Sequence, residues 1–474
     1  MRHDVIVIGG GLSGLSAAVD LASRGIPVLV LEQRRHLGGR TSSFTDDQTG
    51  DVIDNGQHLM MGCYKETRRL LRTIGTDHLA SLQPNLHIDF LHPEKGFSVL
   101  SCPPLPAPLH VLWGLLGLRS LSLRDRSRLL KVGLELQKDP LNMESRLKAL
   151  TVDEWLTRLG QSAENKKYLW DIIAIGSLND DPKKVSALLF YRILRAAFLG
   201  SRENSAMLVP NAGLSELFVE PSVRYLRSRG SDVLTGCGVG RLVLEGDRVT
   251  AVQCSDGVTR DARAFISAVP AHALLPLLEQ SVRHSERSAC PPFGFFGGRR
   301  EESESATTAL RSLLESVRRF ESSPIITIYL WFDRPIIDSE FVALLDSPVQ
   351  WIFNRTKILR LKHDARQFLS LVISGAAEYV EKDKEKIVSM ALDALRNALP
   401  AARQSSIVHS LVIKEKRATF SPTPVVETLR PATETGIENL FLAGDWTDTG
   451  YPATIEGAVM SGRVAADRVA ASVC

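Results

Sequence analysis

The sequence predicts an α/β protein built around a parallel sheet. Residues 4–8, DVIVI, form a short run of β-branched apolar residues, as expected for a strand covered on both faces. Apolar residues then recur at helical spacing until Gly25, and PVLVLE at 27–32 predicts a second strand. This order of strand, helix and strand is typical of a doubly covered sheet with crossover helices.

The first turn has the spacing of a dinucleotide-binding loop. Gly9, Gly11 and Gly14 form G-x-G-x-x-G, with Ser13 inside the motif. One glycine permits a tight turn, one lets the backbone approach a pyrophosphate, and one packs the helix on the strand. The helix amides then face the phosphates, and Glu32 at the end of the second strand is placed to accept hydrogen bonds from a ribose. The sequence predicts a Rossmann-like domain that suits either NAD or FAD.

The next segment, HLGGRTSSF at 36–44, separates these two cofactors. Gly38, Gly39 and Arg40 resemble the second glycine motif of the flavoprotein superfamily that includes amine oxidases, protoporphyrinogen oxidase and carotenoid desaturases. The resemblance implies FAD as the cofactor, with Gly39 and Arg40 near its phosphates or its flavin. The alternative for Arg40 is a solvated loop charge.

A second informative segment lies near the end of the chain. Residues 440–442 predict a buried strand, followed by Gly444, which permits close approach, and Asp445, which suits a ribityl hydroxyl or a pyrophosphate-bound water. AGDWTDTGYPATIEGAVMSG resembles the closing motif of plant-type phytoene desaturases and their relatives. Thr454 stands where amine oxidases carry a tyrosine of their aromatic cage, which argues against an amine substrate.

A helix is expected after this motif, beginning near Pro452 or Ala453. Its N-terminus carries partial positive charge, so the Thr454 and Ile455 amides are expected to stabilise negative charge on reduced flavin. Glu456 in the first turn is more simply a dipole-stabilising or cofactor-facing group than a catalytic one.

Residues 232–274 alternate apolar and polar residues between EGDR and SDG turns, which predicts a β-meander. The resemblance implies that the backbone of Val239 contacts the adenine, and a purely structural valine is the alternative.

The stretch IDNGQHLMMGCY at 53–64 sets a polar cluster against apolar residues. In the superfamily a D-x-G turn passes beside the flavin, which implies that Gly56 allows close approach and that Gln57 and His58 face ring and substrate. Residues 59–61 are then expected to begin the wall of an apolar substrate cavity. His58 is the best-placed proton donor, because imidazole titrates near neutrality. The alternatives are that His58 only orients the flavin, or that Asp448 or Tyr451 is the acid.

With GLSELF at 213–218 and the C-terminal motif, this stretch resembles the hydroxysqualene dehydroxylases. The resemblance implies that reduced FAD replaces the hydroxyl group of an isoprenoid lipid by hydrogen, with an electron donor that the sequence does not identify. A phytoene-type desaturase and a non-catalytic flavin- or lipid-binding protein are the competing interpretations.

The motifs predict two discontinuous domains. Residues 1–80, 205–272 and 414–474 are expected to form the FAD-binding domain, and residues 81–204 and 273–413 an α+β substrate domain. The Gly-, Pro- and charge-rich stretch 285–318 predicts a mobile insertion.

Composition limits the partners, metal sites and cellular location that can be expected. A net charge of +3 over 474 residues gives no reason to expect a nucleic-acid partner. The six cysteines form no C-x-x-C pair, which favours a reducing compartment and no metal site. With no signal peptide pattern and no spanning stretch, a cytoplasmic protein is expected. The apolar residues 101–123 and the basic residues 119–131 predict either a peripheral contact with the inner face of a membrane or a buried helix with a solvated basic face.

Overall fold

The computed structural model describes residues 3–288, 299–362 and 366–473, with only the backbone of 284–288 and 299–307. Within these ranges the strands are β1 (Val5–Ile8), β2 (Val28–Glu32), β3 (Ser43–Thr45), β4 (Val52–Asp54), β5 (Met60–Met61), β6 (Ala80–Leu82), β7 (His87–His92), β8 (Gly96–Ser101), β9 (Met207–Pro210), β10 (Asp232–Thr235), β11 (Val239–Glu245), β12 (Arg248–Cys254), β13 (Thr259–Asp261), β14 (Ala264–Ser267), β15 (Ser322–Phe332), β16 (Phe341–Leu344), β17 (Trp351–Asn354), β18 (Gln367–Ser374), β19 (Ile407–Phe420) and β20 (Leu440–Leu442).

The α-helices of the same ranges are α1 (Leu12–Ser23), α2 (Lys65–Ile74), α3 (Leu109–Gly117), α4 (Leu123–Leu136), α5 (Pro140–Leu147), α6 (Val152–Arg158), α7 (Ala163–Asn165), α8 (Asp171–Leu178), α9 (Ala187–Phe198), α10 (Arg202–Ser205), α11 (Glu220–Ser228), α12 (Ala271–Ser288), α13 (Arg299–Val317), α14 (Arg355–Ile358), α15 (Lys384–Ala398), α16 (Pro400–Arg403), α17 (Pro424–Glu427) and α18 (Ile455–Val473). Short π-helical turns lie at Lys166–Trp170 and Ser215–Val219.

A five-stranded parallel sheet in the order β10-β2-β1-β14-β20 confirms the predicted α/β fold. Alternate residues of β1 point to opposite faces, so Val5 and Val7 pack with α1 and α18, whereas Ile6 and Ile8 pack with the meander and α12. Both faces are therefore covered, which explains why DVIVI is apolar throughout. The five strands come from three distant parts of the chain.

The predicted meander is confirmed for its centre, the antiparallel sheet β11-β12-β13, whereas β10 and β14 near its two ends belong to the parallel sheet. A larger mixed sheet in the order β19-β15-β18-β17-β16-β7-β8 is antiparallel except where β16 meets β7. On β15, Ile326, Ile328 and Leu330 share a core with α15. The alternate residues Tyr329 and Trp331 lie on the opposite face, toward β4. This second face supports the candidate site.

Each predicted domain boundary falls inside a regular element. The 80/81 boundary lies in β6, 204/205 in α10, 272/273 in α12 and 413/414 in β19. Strand β19 pairs with β15 from Ile407 to Phe420, so one continuous ladder crosses the last boundary. Because each of these elements continues across the predicted boundary, the sequence shows no break in hydrophobic periodicity there. The division into two domains stays a prediction.

The mobile insertion predicted at 285–318 stays a prediction, and the final third of this stretch belongs to a packed helix. Helix α13 packs against α12, and Leu310, Leu313, Leu314 and Val317 are buried in the core that also contains Leu274. Residues 289–298 lie outside the described residues. The prolines and glycines of 291–298 predict a loop, whereas the helical spacing of the leucines after them places the following segment in the core.

Candidate functional site

The glycine loop after β1 leaves an open cradle beside α1. A Cβ at Gly14 would lie 2.0 Å from the Gly9 oxygen, so this glycine is needed for helix packing. A Cβ at Gly9, which has a φ of +106°, would lie 3.0 Å from the Ala268 oxygen. By contrast, the Cβ position of Gly11 has no described heavy atom within 4 Å. The loop thus has free space at the glycine where backbone approach to a phosphate is expected.

Glu32 is held at the far end of the same loop. One carboxylate oxygen accepts from the Gly10 amide and the other from the Arg34 amide, each at 2.8 Å. A carboxylate can accept about four hydrogen bonds, so Glu32 keeps capacity for ribose hydroxyls. The structure therefore places Glu32 at the Gly9–Gly14 loop, as the sequence predicts.

Arg40 and Asp445, which are 405 residues apart in the chain, form an ion pair. The Arg40 Nη1 atom lies 2.8 Å from the Asp445 Oδ2 atom and also donates to the Ala418 carbonyl. The loop before Arg40 bonds the first loop, because the Gly38 amide donates to the Gly10 oxygen at 2.8 Å. Arg40 thus makes a long-range ion pair within the chain, with 37% of its side chain exposed.

The turn at Gly444 is equally constrained. A Cβ there would lie 2.4 Å from the Trp446 Nε1 atom, and the Gly444 amide donates to the Ser461 hydroxyl at 2.9 Å. Only glycine fits at this point. Asp445 is buried directly beside it, so the end of β20 brings a carboxylate to the two N-terminal glycine loops.

Helix α18 begins at Ile455, later than the predicted start at Pro452 or Ala453. The Thr454 carbonyl accepts from the Ala458 amide, and its hydroxyl accepts from the Gly457 amide at 3.1 Å, so Thr454 caps the helix. The Thr454 amide donates to the Pro452 carbonyl at 2.8 Å, which corrects the expectation that it faces the cofactor. Ile455 holds the first helical position, where the amide has no partner within the helix.

Glu456 stabilises a neighbouring helix. Its carboxylate accepts from the Glu66 amide, the Thr67 amide and the Thr67 hydroxyl at 2.7–2.9 Å, which caps the N-terminus of α2. Burial raises the pKa of Glu456. The donors to Glu456 lie on α2 and not in its own helix. The carboxylate therefore joins α18 to α2 and is not assigned a catalytic role.

The D-x-G turn is organised by a buried ion pair that the sequence did not reveal. Arg355, which is 1% exposed, places Nη1 at 2.8 Å from Oδ2 of Asp54, which is 2% exposed. The other Asp54 oxygen accepts from the Ser43 hydroxyl and the Leu214 amide. Arg355 follows the apolar strand β17, and its only sequence signal is a lone cation directly after a buried strand.

The same arginine orients Gln57. Its Nη1 atom donates to the Gln57 carbonyl oxygen at 3.0 Å, and the Ser370 hydroxyl donates to the same oxygen at 3.0 Å. The Gln57 amide group is thereby turned away from Arg355 and donates to the His58 carbonyl at 3.2 Å. Gly56 lies beside β15, with its Cβ position 3.7 Å from the Thr327 hydroxyl.

His58 is held as a neutral imidazole. Its Nδ1 atom lies 2.7 Å from the Gly56 carbonyl, which can only accept, so Nδ1 carries the proton and Nε2 is left as an acceptor. Burial lowers the pKa of His58, and the charge of Arg40 lowers it further. His58 therefore donates a proton from Nε2 only after it has first been protonated there.

The apolar wall after His58 is divided between two cores. Leu59 and Met61 pack against the large core of helices α3–α9, whereas Met60 is buried in the core beneath the parallel sheet. The expectation that residues 59–61 all line one cavity is thus wrong for Met60, because successive residues of β5 point to opposite faces.

Two phenols lie near the start of α18. Burial raises the pKa of Tyr451 to about 12, and it also raises the pKa of Tyr64, which hydrogen-bonds Thr454. Both stay protonated at neutral pH. Asp448, the other alternative acid, is exposed.

Val239 begins the meander and pairs with Cys254. Ligand atoms of Cys237, Cys254 and Asp256 lie within 4.8 Å of one another, a grouping that the cysteine spacing did not predict. Arg260 lies 3.2 Å from the Asp256 carboxylate and competes with any cation there.

A cleft of about 700 Å³ lies away from these groups, between β7, β8 and residues 336–341. Its walls carry Asp89, Asp338 and Glu340, which suits an isoprenoid chain poorly. The site beside Gly56 is chemically the better candidate.

The chain matches the model of flavin containing amine oxidoreductases over residues 12–470. It belongs to this family. The cradle at Gly11, the oriented carboxylate of Glu32 and the Arg40–Asp445 pair fit FAD, which is the cofactor of this flavin-dependent oxidoreductase.

Individual relatives agree with this assignment. The chain is 30% identical to hydroxysqualene dehydroxylase of Rhodopseudomonas palustris, covering 100% of this chain and 99% of that protein. It is 26% identical to 15-cis-phytoene desaturase of an Oncidium hybrid cultivar, covering 98% of this chain and 77% of that one. Among solved structures, putrescine oxidase superposes with a TM-score of 0.70 at 16% identity over 99% of both chains, which shows the shared fold.

Proposed function

We propose that this enzyme reduces hydroxysqualene to squalene with release of water. The supporting observation is the juxtaposition at residues 54–61: a hydrogen-bonded polar turn ends in His58, and Leu59 and Met61 then pack against a large apolar core. A lipid that carries one hydroxyl group needs both kinds of surface. The similarity to hydroxysqualene dehydroxylase along the full chain supports the same substrate class.

The reaction is a two-electron reduction. A hydride adds to the carbon that carried the hydroxyl group as its C–O bond breaks, and one proton joins the leaving oxygen to form water. When bound and reduced, FAD supplies the hydride, and an external donor must then return two electrons. The chain itself has to hold the lipid, exclude water and deliver the proton.

We assign to His58 the donation of the proton that joins the leaving oxygen. Gln57 is a neighbouring positioning residue. Arg355 and Ser370 hold the Gln57 carboxamide in one orientation. Because the pKa of His58 lies below its usual value, its protonated form is scarce at neutral pH and is a strong acid when present. If proton donation by His58 limits the rate, the rate of turnover should fall as pH rises, because the protonated fraction of His58 falls.

The deciding experiment uses the anaerobically reduced holoenzyme. Addition of hydroxysqualene should reoxidise the flavin, with squalene as the product. His58→Gln should slow this reoxidation at least tenfold and remove its pH dependence, while His78→Gln, at an exposed position, should behave as the parent. Absence of squalene would reject the proposed reaction, and an unchanged rate in His58→Gln would reject the acid role alone.

A phytoene-type desaturation is the second candidate, favoured by the 26% identity to phytoene desaturase over nearly the whole chain. It would start from oxidised flavin and yield a lipid with an additional double bond. Incubation of the oxidised enzyme with phytoene separates the two reactions. A colourless protein that fails to bind added FAD would instead favour the non-catalytic interpretation. The proposal places the enzyme in the cytoplasm with peripheral access to lipid.

A further inference from the structure

Helices α3 and α4 carry apolar side chains on their outward faces. On α3, Leu109, Trp113 and Leu116 recur at helical spacing, with Trp113 66% exposed and Leu109 52% exposed. On α4, Leu123, Leu130 and Leu134 do the same, with Leu123 79% exposed. We call these six side chains the apolar face. Scattered exposed leucines need no explanation, but a repeated face with a tryptophan does.

The apolar face cannot turn inward. A Cβ at Gly114, on the other side of α3, would lie 2.6 Å from the Cys102 sulfur, so this side already touches β8 and its following residue. His110, also on that side, lies 2.8 Å from the Ser205 hydroxyl. Leu129 and Val132 of α4 are buried in the same core. Each helix thus has one buried side and a second, outward set of apolar side chains, and a buried helix with a solvated basic face does not account for this outward set.

The surrounding charge is positive. Residues 105–148 contain eight Lys and Arg against four Asp and Glu, a net charge of +4, whereas the whole chain has a net charge of +3. Arg119, Arg124 and Lys131 are exposed next to the apolar face. Arg126 instead donates to the Leu121 and Leu116 carbonyls, and Arg128 pairs with Asp125. Three cations are thus available to bind anions.

We propose that the apolar face docks this protein on an anionic lipid bilayer. Exposed leucines and a tryptophan partition into the boundary between headgroups and acyl chains, and lysines and arginines beside them bind anionic headgroups. The three exposed cations beside this face complement anionic headgroups, which is why we assign a bilayer rather than a protein partner. Within the described residues no helix has the length and apolarity to cross a bilayer, so the contact is peripheral.

The docking surface is continuous with the candidate site. Val111 and Leu115 of α3 belong to or pack on the same core that Leu59 and Met61 join next to His58. The inner side of α3 and the residues next to His58 thus border one packed core. Delivery of an isoprenoid from the bilayer along this core rests on the proposed function, whereas the docking itself does not.

Vesicle co-sedimentation of the FAD-loaded protein tests the docking. We expect binding to vesicles of phosphatidylglycerol and phosphatidylcholine, and at least tenfold weaker binding for the variant Leu109→Gln/Trp113→Gln/Leu116→Gln. The control Val258→Gln/Val408→Gln/Val425→Gln changes three exposed side chains elsewhere and should bind normally. Equal binding by the first variant, or no binding by the parent protein at low salt, would overturn the proposal.

A charge variant tests the anionic preference. Arg119→Glu/Arg124→Glu/Lys131→Glu should lose the difference between anionic and pure phosphatidylcholine vesicles, whereas Arg283→Glu/Lys384→Glu/Arg396→Glu should keep it. In the single variant Trp113→Phe, the blue shift of tryptophan fluorescence on vesicle addition should largely vanish. If the apolar face instead joins two copies of this chain, the parent protein will be a dimer without lipid and the glutamine variant a monomer, with equal vesicle binding.

The same variants separate docking from catalysis. The glutamine variant should turn over hydroxysqualene in detergent at the parental rate and lose turnover of hydroxysqualene embedded in vesicles. If no variant or parent protein converts hydroxysqualene but vesicle binding follows the expected order, the proposed reaction fails and the docking surface stands.

Discussion

At the scale of single residues, the site is organised around Asp54, whose side-chain and backbone oxygens all accept hydrogen bonds from the chain. Asp54 accepts from Ser43, Leu214 and Arg355, and the backbone carbonyl of Asp54 accepts from the Tyr329 hydroxyl at 2.8 Å. Such saturation fixes the path of the chain at Gly56 before any ligand binds. A site held in this way needs little reorganisation to act on a substrate.

Removal of one partner of the buried ion pair should be costly. Arg355→Met leaves Asp54 as an unpaired buried charge, so we expect a loss of about 3–5 kcal/mol in the free energy of unfolding. Arg334 forms a surface pair with Asp333, and Arg334→Met should cost far less because solvent screens this pair. Urea denaturation of both variants measures the difference. Equal losses would show that the 355 position tolerates a neutral side chain.

The protonation of His58 should appear in the stability of the protein. Because its folded pKa lies below 6.5, the unfolded chain binds the proton more readily as pH falls below that value. His58 therefore contributes stability at neutral pH that is lost as pH falls from about 6.5. His58→Gln should lose less stability between pH 7 and pH 5.5 than the parent in urea denaturation, and exposed His78→Gln should follow the parent.

At the scale of elements, helical spacing decides whether a segment belongs to the core. The stretch 285–318 has the composition of a loop at its centre, but Leu310, Leu313 and Leu314 share one face of α13. That face covers the same side of the parallel sheet as the meander. In the stretch 101–123, by contrast, some apolar residues at helical spacing lie on the outward face of α3 and not in the core. Only the packing of α3 shows which residues these are.

The role of α13 is testable with one leucine. Leu310 is fully buried, so Leu310→Ala should lower the free energy of unfolding by about 2–5 kcal/mol. The matched change Leu123→Ala removes the same atoms from an exposed position and should change stability by less than about 0.5 kcal/mol. Urea denaturation compares the two variants, and a neutral Leu310→Ala would support the loop interpretation after all.

At the scale of the whole molecule, the two ends of the chain meet in one parallel sheet. The strands β1 and β2 come from the first 32 residues and β20 from residues 440–442, and the Arg40–Asp445 pair joins the loops that follow them. A ligand bound between these loops stabilises the closed arrangement by mass action.

Retention of FAD should therefore depend on Asp445. Asp445→Asn should weaken FAD binding by about tenfold or more, since a charge-assisted contact is lost and Arg40 is left with a neutral partner. Asp448→Asn, three residues later and exposed, should bind FAD as the parent does. Titration of the apoprotein by flavin fluorescence measures both constants, and added FAD should raise the thermal midpoint of the control but raise that of Asp445→Asn less.

The sequence by itself determined the parallel sheet, the glycine loops, the place of Glu32 at the end of β2 and the buried strand β20, because these depend on local spacing within one or two elements. Only the tertiary structure revealed Arg355 beside Asp54, Glu456 as the cap of α2, the separation of Met60 from Leu59 and Met61, and the outward face of α3. Those contacts join residues 300 or more positions apart, or depend on which side of a helix or strand faces the core. Periodicity shows that an element has an apolar side, whereas its neighbours decide what that side touches.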